Sequence, residues 1–291
     1  MTTVARALLG GAIDYAGLFP PAGLDLEAAV ANFMAYRRSS ESWALGRLVV
    51  PASALDRLAD LAGSRDMGDG LRISAVIGPA VGDDVERVRR FDRSATSARL
   101  DAVEARAGTP AEARTLHAEL PDGWTRYVEV PLEDGFDSTL GVLAAAGTHA
   151  KIRTGGVTPE AFPDAGRVAE FLHAAATRRL AFKATAGLHH PLRGRYRLTY
   201  APEAPTGVMY GYLNLSLAAL SAWLGLPPAR TRAALLETDP ASLGRDGEVL
   251  RWRDLRFEPD QIEAMRRDFF HGFGSCSFRE PLDEWPLGAA A

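Results

Sequence analysis

The sequence predicts a single (β/α)₈ barrel of the TIM type that spans residues 1–291. Three observations predict this fold. The length suits one such barrel, short apolar runs alternate regularly with amphipathic stretches, and no Gly-rich dinucleotide turn follows the first run. An open doubly wound sheet would also show the alternation, but the regular spacing favours the closed barrel.

Seven strand-then-helix units can be placed in order along the chain. Each apolar run has the length of a strand, and each amphipathic stretch has the length of a helix. Thr109 and Pro110 form a good N-cap and first residue for the fourth helix. The predicted strands are residues 11–17, 45–51, 71–78, 98–104, 124–131, 149–154 and 180–186. The predicted helices cover 26–38, a segment from Ser53, 82–91, a segment from Thr109, 138–146 and 158–178.

The pattern loosens after the seventh strand. Residues 189–208 are rich in proline and predict a long loop, which helices at 212–224, 229–237 and 258–270 follow. The eighth strand is expected at 241–244 or at 249–252.

Residues 272–286 predict a C-terminal tail. Its segment 272–278 is expected to fold over the strand ends as a lid, because Phe273 and Phe278 are costly to leave in water. A frayed C-terminus is the alternative.

Composition excludes several classes of function. The net charge of -4 and the absence of a basic block argue against a nucleic-acid partner. No apolar run is long enough for a membrane span, and the N-terminus lacks the features of a signal peptide, so we expect a soluble cytoplasmic protein. The single cysteine, Cys276, excludes a disulfide framework and a cysteine-based zinc site.

The use of lysine is unusual. Lysine and arginine together number 33, yet only Lys151 and Lys183 are lysine. Only lysine offers an amine that can lose its proton and attack a carbonyl, so these two residues are candidate chemical groups. Chance retention is the alternative explanation.

Strand parity directs both amines toward the barrel axis. Lys151 shares a strand face with Arg153, and Lys183 shares one with Thr185. Ile152 and Phe182 lie on the opposite faces of these strands, toward the helices. Neighbouring strands lie about 4.8 Å apart, so the two ammonium groups can approach closely. We expect each to disfavour the charge of the other, which would lower the pKa of at least one amine.

The segments Lys151-Ile-Arg-Thr154-Gly155 and Lys183-Ala-Thr-Ala-Gly-Leu188 resemble the paired lysine motifs of Schiff-base (class I) aldolases, nearest to deoxyribose-phosphate aldolase. The resemblance covers roughly residues 98–190. It implies that Lys151 forms an imine and that Lys183 activates it electrostatically. It also implies a proton-transfer role for Asp101 in the fourth strand.

Other parts of the chain depart from this family. Arg153 stands where the family has a small serine, and residues 189–208 and the C-terminal third have no counterpart. The segments 13–21 and 272–278 resemble signatures of another bacterial family instead. The mechanism is therefore an analogy, and the substrate is not inferred from it.

Several carboxylates compete for roles at the site. Glu129 points inward near the end of the fifth strand, as a general base or as a salt-bridge partner that orients Lys151 or Arg153. Glu104 competes with Asp101, because residues three positions apart cannot share one strand face. Asp14 either caps a turn or contacts substrate.

The remaining candidates are expected to bind substrate. Backbone N–H groups near Gly187 can meet a phosphate or carboxylate, and adjacent histidines suit a hydrogen bond or acid–base role better than joint metal ligation. Cys276 needs a nearby base to act as a nucleophile. The expected substrate-binding residues are Arg153, Thr154, Thr185, Gly187, His189, His190 and Ser275.

We therefore expect a lyase that acts on a small anionic carbonyl compound through a lysine imine, without a cofactor or metal. Aldol cleavage or condensation is the leading reaction. The alternatives are an isomerase or metal-assisted hydrolase that uses the lysines as an acid–base pair or anion clamp, and a barrel that binds a metabolite without chemistry. The expected partner is a small molecule, and a homo-oligomer is possible.

Overall fold

Eight parallel strands close into a barrel in the computed structural model, which describes residues 3–64, 71–94 and 97–287. This topology, with helices between the strands, confirms the predicted fold class. The last strand closes the barrel by pairing with the first and the seventh. The barrel strands are β1 (Ile13–Tyr15), β2 (Leu45–Pro51), β3 (Leu71–Val76), β4 (Ala98–Arg106), β5 (Thr125–Glu129), β6 (His149–Arg153), β7 (Phe182–Thr185) and β13 (Phe270–Ser275).

Helices surround the barrel, and each of the first six strands is followed by one, as predicted. Thr109 caps the fourth of these by accepting a hydrogen bond from the Glu112 N–H at 3.2 Å, and Pro110 is its first residue, as predicted. No helix among the described residues has the length and apolar character needed to cross a bilayer. The helices are α1 (Thr3–Leu9), α2 (Leu26–Arg37), α3 (Leu55–Ser64), α4 (Val81–Ser94), α5 (Pro110–Glu119), α6 (Phe136–Ala145), α7 (Ala165–Thr177), α8 (Tyr212–Trp223), α9 (Pro228–Leu236), α10 (Pro259–Asp268) and α11 (Glu280–Asp283).

The prediction for the eighth strand was wrong. Both predicted segments lie in a separate antiparallel sheet of β10 (Leu243–Asp246), β11 (Val249–Trp252) and β12 (Leu255–Phe257), because the turn at Gly247 pairs them locally. The eighth barrel strand is β13, which begins at the last residue of the predicted helix 258–270 and continues into the segment predicted as a tail. Gly272 of this strand is required by close packing, since a Cβ there would lie 2.3 Å from the Ala12 carbonyl oxygen.

Two further expectations need correction. The connection after β7 is long, but it contains a hairpin of β8 (Gly194–Arg197) and β9 (Thr206–Met209). The helix expected from residue 158 begins only at Ala165, where Asp164 is its N-cap. Pro163 lacks an N–H and holds Phe162 in an extended conformation, so a helix cannot run through this point.

The two faces of the barrel strands differ in chemistry. Outward-facing Ile152 and Phe182 are fully buried against the helical layer, and Phe182 stacks on Phe270 at 4.9 Å between ring centroids. The barrel interior instead holds charged and hydrogen-bonding side chains, including buried Glu104 and Lys183. A polar interior with an apolar outer layer directs the chemistry toward the barrel axis.

Candidate active site

The two lysines lie side by side inside the barrel. Lys151 on β6 pairs in register with Lys183 on β7, and both are buried. The Lys183 amine lies 2.5 Å from Asp14 Oδ2 and 2.7 Å from Glu104 Oε1. The Lys151 amine lies 2.8 Å from Glu104 Oε2 and 3.1 Å from Glu129 Oε2. Glu104 therefore bridges the two amines with its two oxygens.

This bridge limits the separation of the amines. The oxygens of one carboxylate are about 2.2 Å apart, so the two nitrogen atoms lie within about 8 Å of each other. Their predicted inward orientation and proximity are confirmed.

The charges of the cluster stabilise one another. Burial alone would lower the pKa of Lys183, but the carboxylates of Asp14 and Glu104 outweigh it and raise that pKa. Burial opposes ionisation of Glu104, yet Lys151 and Lys183 hold its pKa well below the usual range. Glu129 follows the same pattern, with its pKa lowered by Lys151 and Arg153 against burial. Lys183 is therefore not an amine whose pKa is lowered, because the carboxylates of Asp14 and Glu104 contact it.

A cavity of about 550 Å³ opens above this cluster at the carboxyl ends of the strands. This is the end at which (β/α)₈ barrels carry their active sites. Besides the two lysines, the residues that can offer charge or a nucleophile to a ligand there are Glu104, Arg106, Glu129, Arg153, His189 and Cys276.

Five predicted site residues besides the lysines line the cavity. Glu129 and Arg153 contact each other at 3.5 Å, and the Arg153 side chain is half-exposed toward the opening. Thr185 and His189 also line the cavity. Gly187 does so with a φ of +74°, where a side chain would strain the backbone and would meet Phe162 at 2.8 Å.

Three predicted substrate-binding residues do not line this cavity. The Thr154 hydroxyl donates to the Ala186 carbonyl at 2.7 Å, so it fixes the loop after β7. Ser275 is buried, and its hydroxyl accepts from the Ser277 N–H at 3.3 Å. His190 stacks on Tyr196 and hydrogen-bonds Glu284, beside a smaller neighbouring pocket.

Asp101 is not brought to the lysines. A register shift in β4 leaves it without a partner on β3, since Ile73 pairs with Leu100 and Ser74 with Ala102. Its carboxylate is held by Arg72 at 2.6 Å and Arg99 at 2.7 Å. Of the two competing acids of β4, it is Glu104 that lies at the lysine cluster.

Sequence reasoning missed or undervalued other members of the site. Asp14 accepts from the Arg47 N–H at 2.7 Å, as a turn cap would, and also binds Lys183. Cys276 lies 3.8 Å from His189 Nε2, so the thiol does have a base beside it. Glu280 contacts the other nitrogen of His189 at 2.6 Å, and no signal in the sequence pointed to it.

The fold and the cavity define a (β/α)₈ barrel, a fold in which enzymes are common, with charged side chains at its catalytic end. Comparison with family models, with curated proteins and with solved structures found no match to this chain. Within the described ranges, no group of three or more His, Cys, Asp or Glu residues is arranged to hold a metal ion.

Proposed function

We propose that the protein is a lyase that cleaves or forms a carbon–carbon bond next to a carbonyl through an imine on Lys151. The observation that carries the proposal is the bridging of both amines by Glu104 at the floor of the cavity. An amine that faces a cavity and has carboxylates within proton-transfer distance meets the requirements of covalent carbonyl catalysis. The likeness of the lysine motifs to Schiff-base aldolases supports the same reaction class.

The cleavage reaction begins when Lys151 gives a proton to Glu129 and attacks the carbonyl carbon. Glu129 returns this proton as the adduct loses water, which leaves a protonated imine that withdraws electrons from the adjacent carbon–carbon bond. Glu129 takes the proton of the β-hydroxyl as that bond breaks and an aldehyde leaves. The remaining enamine accepts a proton at carbon, and water then releases the second carbonyl product and restores Lys151.

Lys183 and Glu104 have supporting roles in this scheme. Lys183 stays protonated, because Asp14 and Glu104 both contact its amine and raise its pKa. It supplies a fixed positive charge beside the reacting amine. Glu104 also accepts a hydrogen bond from Ser74 at 2.7 Å, which fixes the carboxylate between the two lysines.

The substrate is expected to be anionic. Arg106 and Arg153 line the cavity, and the Arg153 guanidinium is half-exposed to it. Arginine suits recognition of carboxylate or phosphate groups. The two arginines would hold the charged end of the substrate while its carbonyl reaches Lys151.

A second candidate function uses the same residues without an imine. Both lysines are paired with carboxylates, and such pairing favours an acid–base pair or an anion clamp, as in an isomerase. A barrel that binds a metabolite without chemistry would use the same charges. Covalent trapping separates these functions from the first.

Reductive trapping tests the proposal. The protein is incubated with borohydride and either pyruvate, an anionic ketone, or acetaldehyde, a neutral aldehyde, and the adduct is located by peptide mass spectrometry. Because the sequence has only two lysines, a side-chain adduct can lie only at position 151 or 183. We expect it at Lys151, with the carboxylate-bearing probe reacting faster.

The matched variants are Lys151→Arg and Lys183→Arg, which keep the charge but cannot form an imine. We expect the first to lose the adduct completely and the second to form it more slowly. Arg153→Gln should reduce the preference for the anionic probe. Absence of an adduct from the folded wild-type protein with both probes would overturn the imine mechanism.

A further inference from the structure

The cavity carries a second group of reactive side chains, which follow the neighbouring strands β13 and β7. Cys276 follows β13 directly and lines the cavity, with its sulfur 3.8 Å from His189 Nε2. His189 Nδ1 lies 2.6 Å from Glu280 Oε2. A thiol, an imidazole and a carboxylate thus stand in line, with the imidazole in the middle.

The surroundings of His189 favour its charged form. Burial alone would lower the pKa of His189, but hydrogen bonds to Cys276 and Glu280 reverse this effect and raise the pKa to about 9. An imidazolium that contacts a sulfur on one side and a carboxylate on the other can retain the proton of the thiol. Burial opposes ionisation of Glu280, but contacts with His189 and Tyr200 lower its pKa, and His190 adds the smallest of these effects.

Tyr200 completes the group. Its hydroxyl donates to Glu280 Oε2 at 3.2 Å and lies 3.6 Å from the Cys276 sulfur. Burial and the neighbouring thiol and carboxylate raise the pKa of Tyr200, so it remains a hydrogen-bond donor. This donor is placed to fix Glu280 and to stabilise negative charge that develops beside the sulfur.

We propose that Cys276 is the nucleophile of a thiol acyl-transfer site in this cavity, with His189 as its acid–base partner, and that it acts on esters or thioesters. The group has the parts that an activated nucleophile requires: a base within reach and a third residue that orients the base. Glu280 is the positioning residue, because it contacts His189 and not the cavity opening.

The reaction balances with water as the only co-reactant. The sulfur attacks the acyl carbon, the bond from that carbon to the leaving oxygen or sulfur breaks, and His189 gives its proton to the leaving group. Water then attacks the thioester carbon while His189 takes one of its protons. The carbon–sulfur bond breaks, the carboxylic acid leaves, and the thiolate and imidazolium are restored.

This site is chemically independent of the imine proposal. Neither Lys151 nor Lys183 contacts the Cys276, His189 and Glu280 group, although all line or adjoin one cavity. Variants of one group therefore leave the chemistry of the other testable.

Iodoacetamide alkylation followed by mass spectrometry tests the activation of the thiol. Because the chain has one cysteine, each thiol adduct reports on Cys276. A thiol without a partner titrates near about pH 8.5, so its alkylation rate rises more than about tenfold between about pH 6.5 and 9. We expect the wild-type rate to change less than about threefold over that range.

The variants make the test specific. His189→Gln should restore the steep pH dependence, and Glu280→Gln should restore part of it. Glu284→Gln is the matched control, because Glu284 contacts His190 in the same way outside the cavity. A steep profile in the wild-type protein, or equal effects of Glu280→Gln and Glu284→Gln, would overturn the proposal even if other variants fail to fold.

Acylation tests the substrate class. Wild-type protein mixed with p-nitrophenyl acetate should carry one acetyl group on the Cys276 peptide and lose it with time. Cys276→Ser should abolish that adduct, whereas Lys151→Arg should retain it and lose only reductive trapping. A wild-type protein that is acetylated elsewhere but never at Cys276 contradicts the proposal.

Discussion

The amine of Lys183 on β7 lies 2.5 Å from Oδ2 of Asp14 on β1, although β13 separates these two strands. Between them, Gly274 of β13 pairs with Asp14 on one side and with Thr185 on the other. The closing strand of the barrel thus permits an ion pair across it.

Removing the charge of Lys183 should destabilise the fold. Lys183→Met leaves Asp14 and Glu104 buried without one of their cationic partners. Breaking one partner of a buried ion pair costs about 3–5 kcal/mol, and we expect a loss of this size in the free energy of unfolding. Urea denaturation at neutral pH measures it. As a control, Arg57→Ala breaks the exposed pair with Glu27 and should cost less than about 1 kcal/mol.

Mutation should distinguish Glu129, which we propose transfers protons, from Asp101, which does not reach the lysines. Glu129→Gln keeps the size of a side chain that contacts Lys151, but it removes the base, so turnover of a carbonyl substrate should fall about 10²–10⁴-fold. Asp101→Asn weakens contacts with Arg72 and Arg99 and should leave turnover within about twofold while reducing stability by about 1–3 kcal/mol. Steady-state kinetics would contradict the assignment if Asp101→Asn were the more damaging change.

Acid should destabilise the barrel through His271. Burial and the positive charges of His149 and Arg266 lower the pKa of His271 to about 4, and Tyr127 hydrogen-bonds its ring at 2.8 Å. Between about pH 6.5 and 4 the unfolded chain binds a proton that the folded protein does not, so the stability contributed by the neutral ring is lost as the pH falls.

The size of this effect is about 3 kcal/mol, from the difference between the ordinary histidine pKa and the lowered one. We compare the free energy of unfolding of the wild-type protein with that of His271→Gln. Lowering the pH from 7 to 4 should shift this difference by about 3 kcal/mol against the wild-type protein. Urea titrations at a series of pH values give this difference, and parallel curves for the two proteins would rule out His271 as the cause.

Two truncations should distinguish the contribution of the closing strand to stability from that of the segment after it. A lid over residues 272–278 would leave the stability of a chain that ends at Phe270 little changed, but β13 supplies the eighth barrel strand. We expect that chain to show no cooperative thermal transition by circular dichroism, because β1 and β7 lose their shared neighbour. A chain ending at Phe278 keeps β13 and should melt cooperatively; unfolding of both chains would show that the segment after 278 is also required.

The lid prediction illustrates why local pattern misleads at this point. Residues 272–278 contain Gly272, Gly274 and two serines, a composition typical of a loop. In the fold the glycines allow close approach of neighbouring strands, and Phe273 stacks on Tyr212 of α8. The segment does reach the cavity, through Gly274 and Cys276, but it does so as the end of a barrel strand.

The sequence by itself determined the fold class and the two lysines. Alternating strand and helix periods require parallel strands joined by crossovers, and strand parity directs Lys151 and Lys183 inward, because both properties depend on local backbone geometry. Only the tertiary structure decided which carboxylate meets the lysines, since one unpaired residue in β4 places Glu104, not Asp101, at the cluster. It also brought Cys276, His189 and Glu280 together, because contacts between residues about ninety positions apart depend on how the closed barrel folds its C-terminal segment back onto the loop after β7.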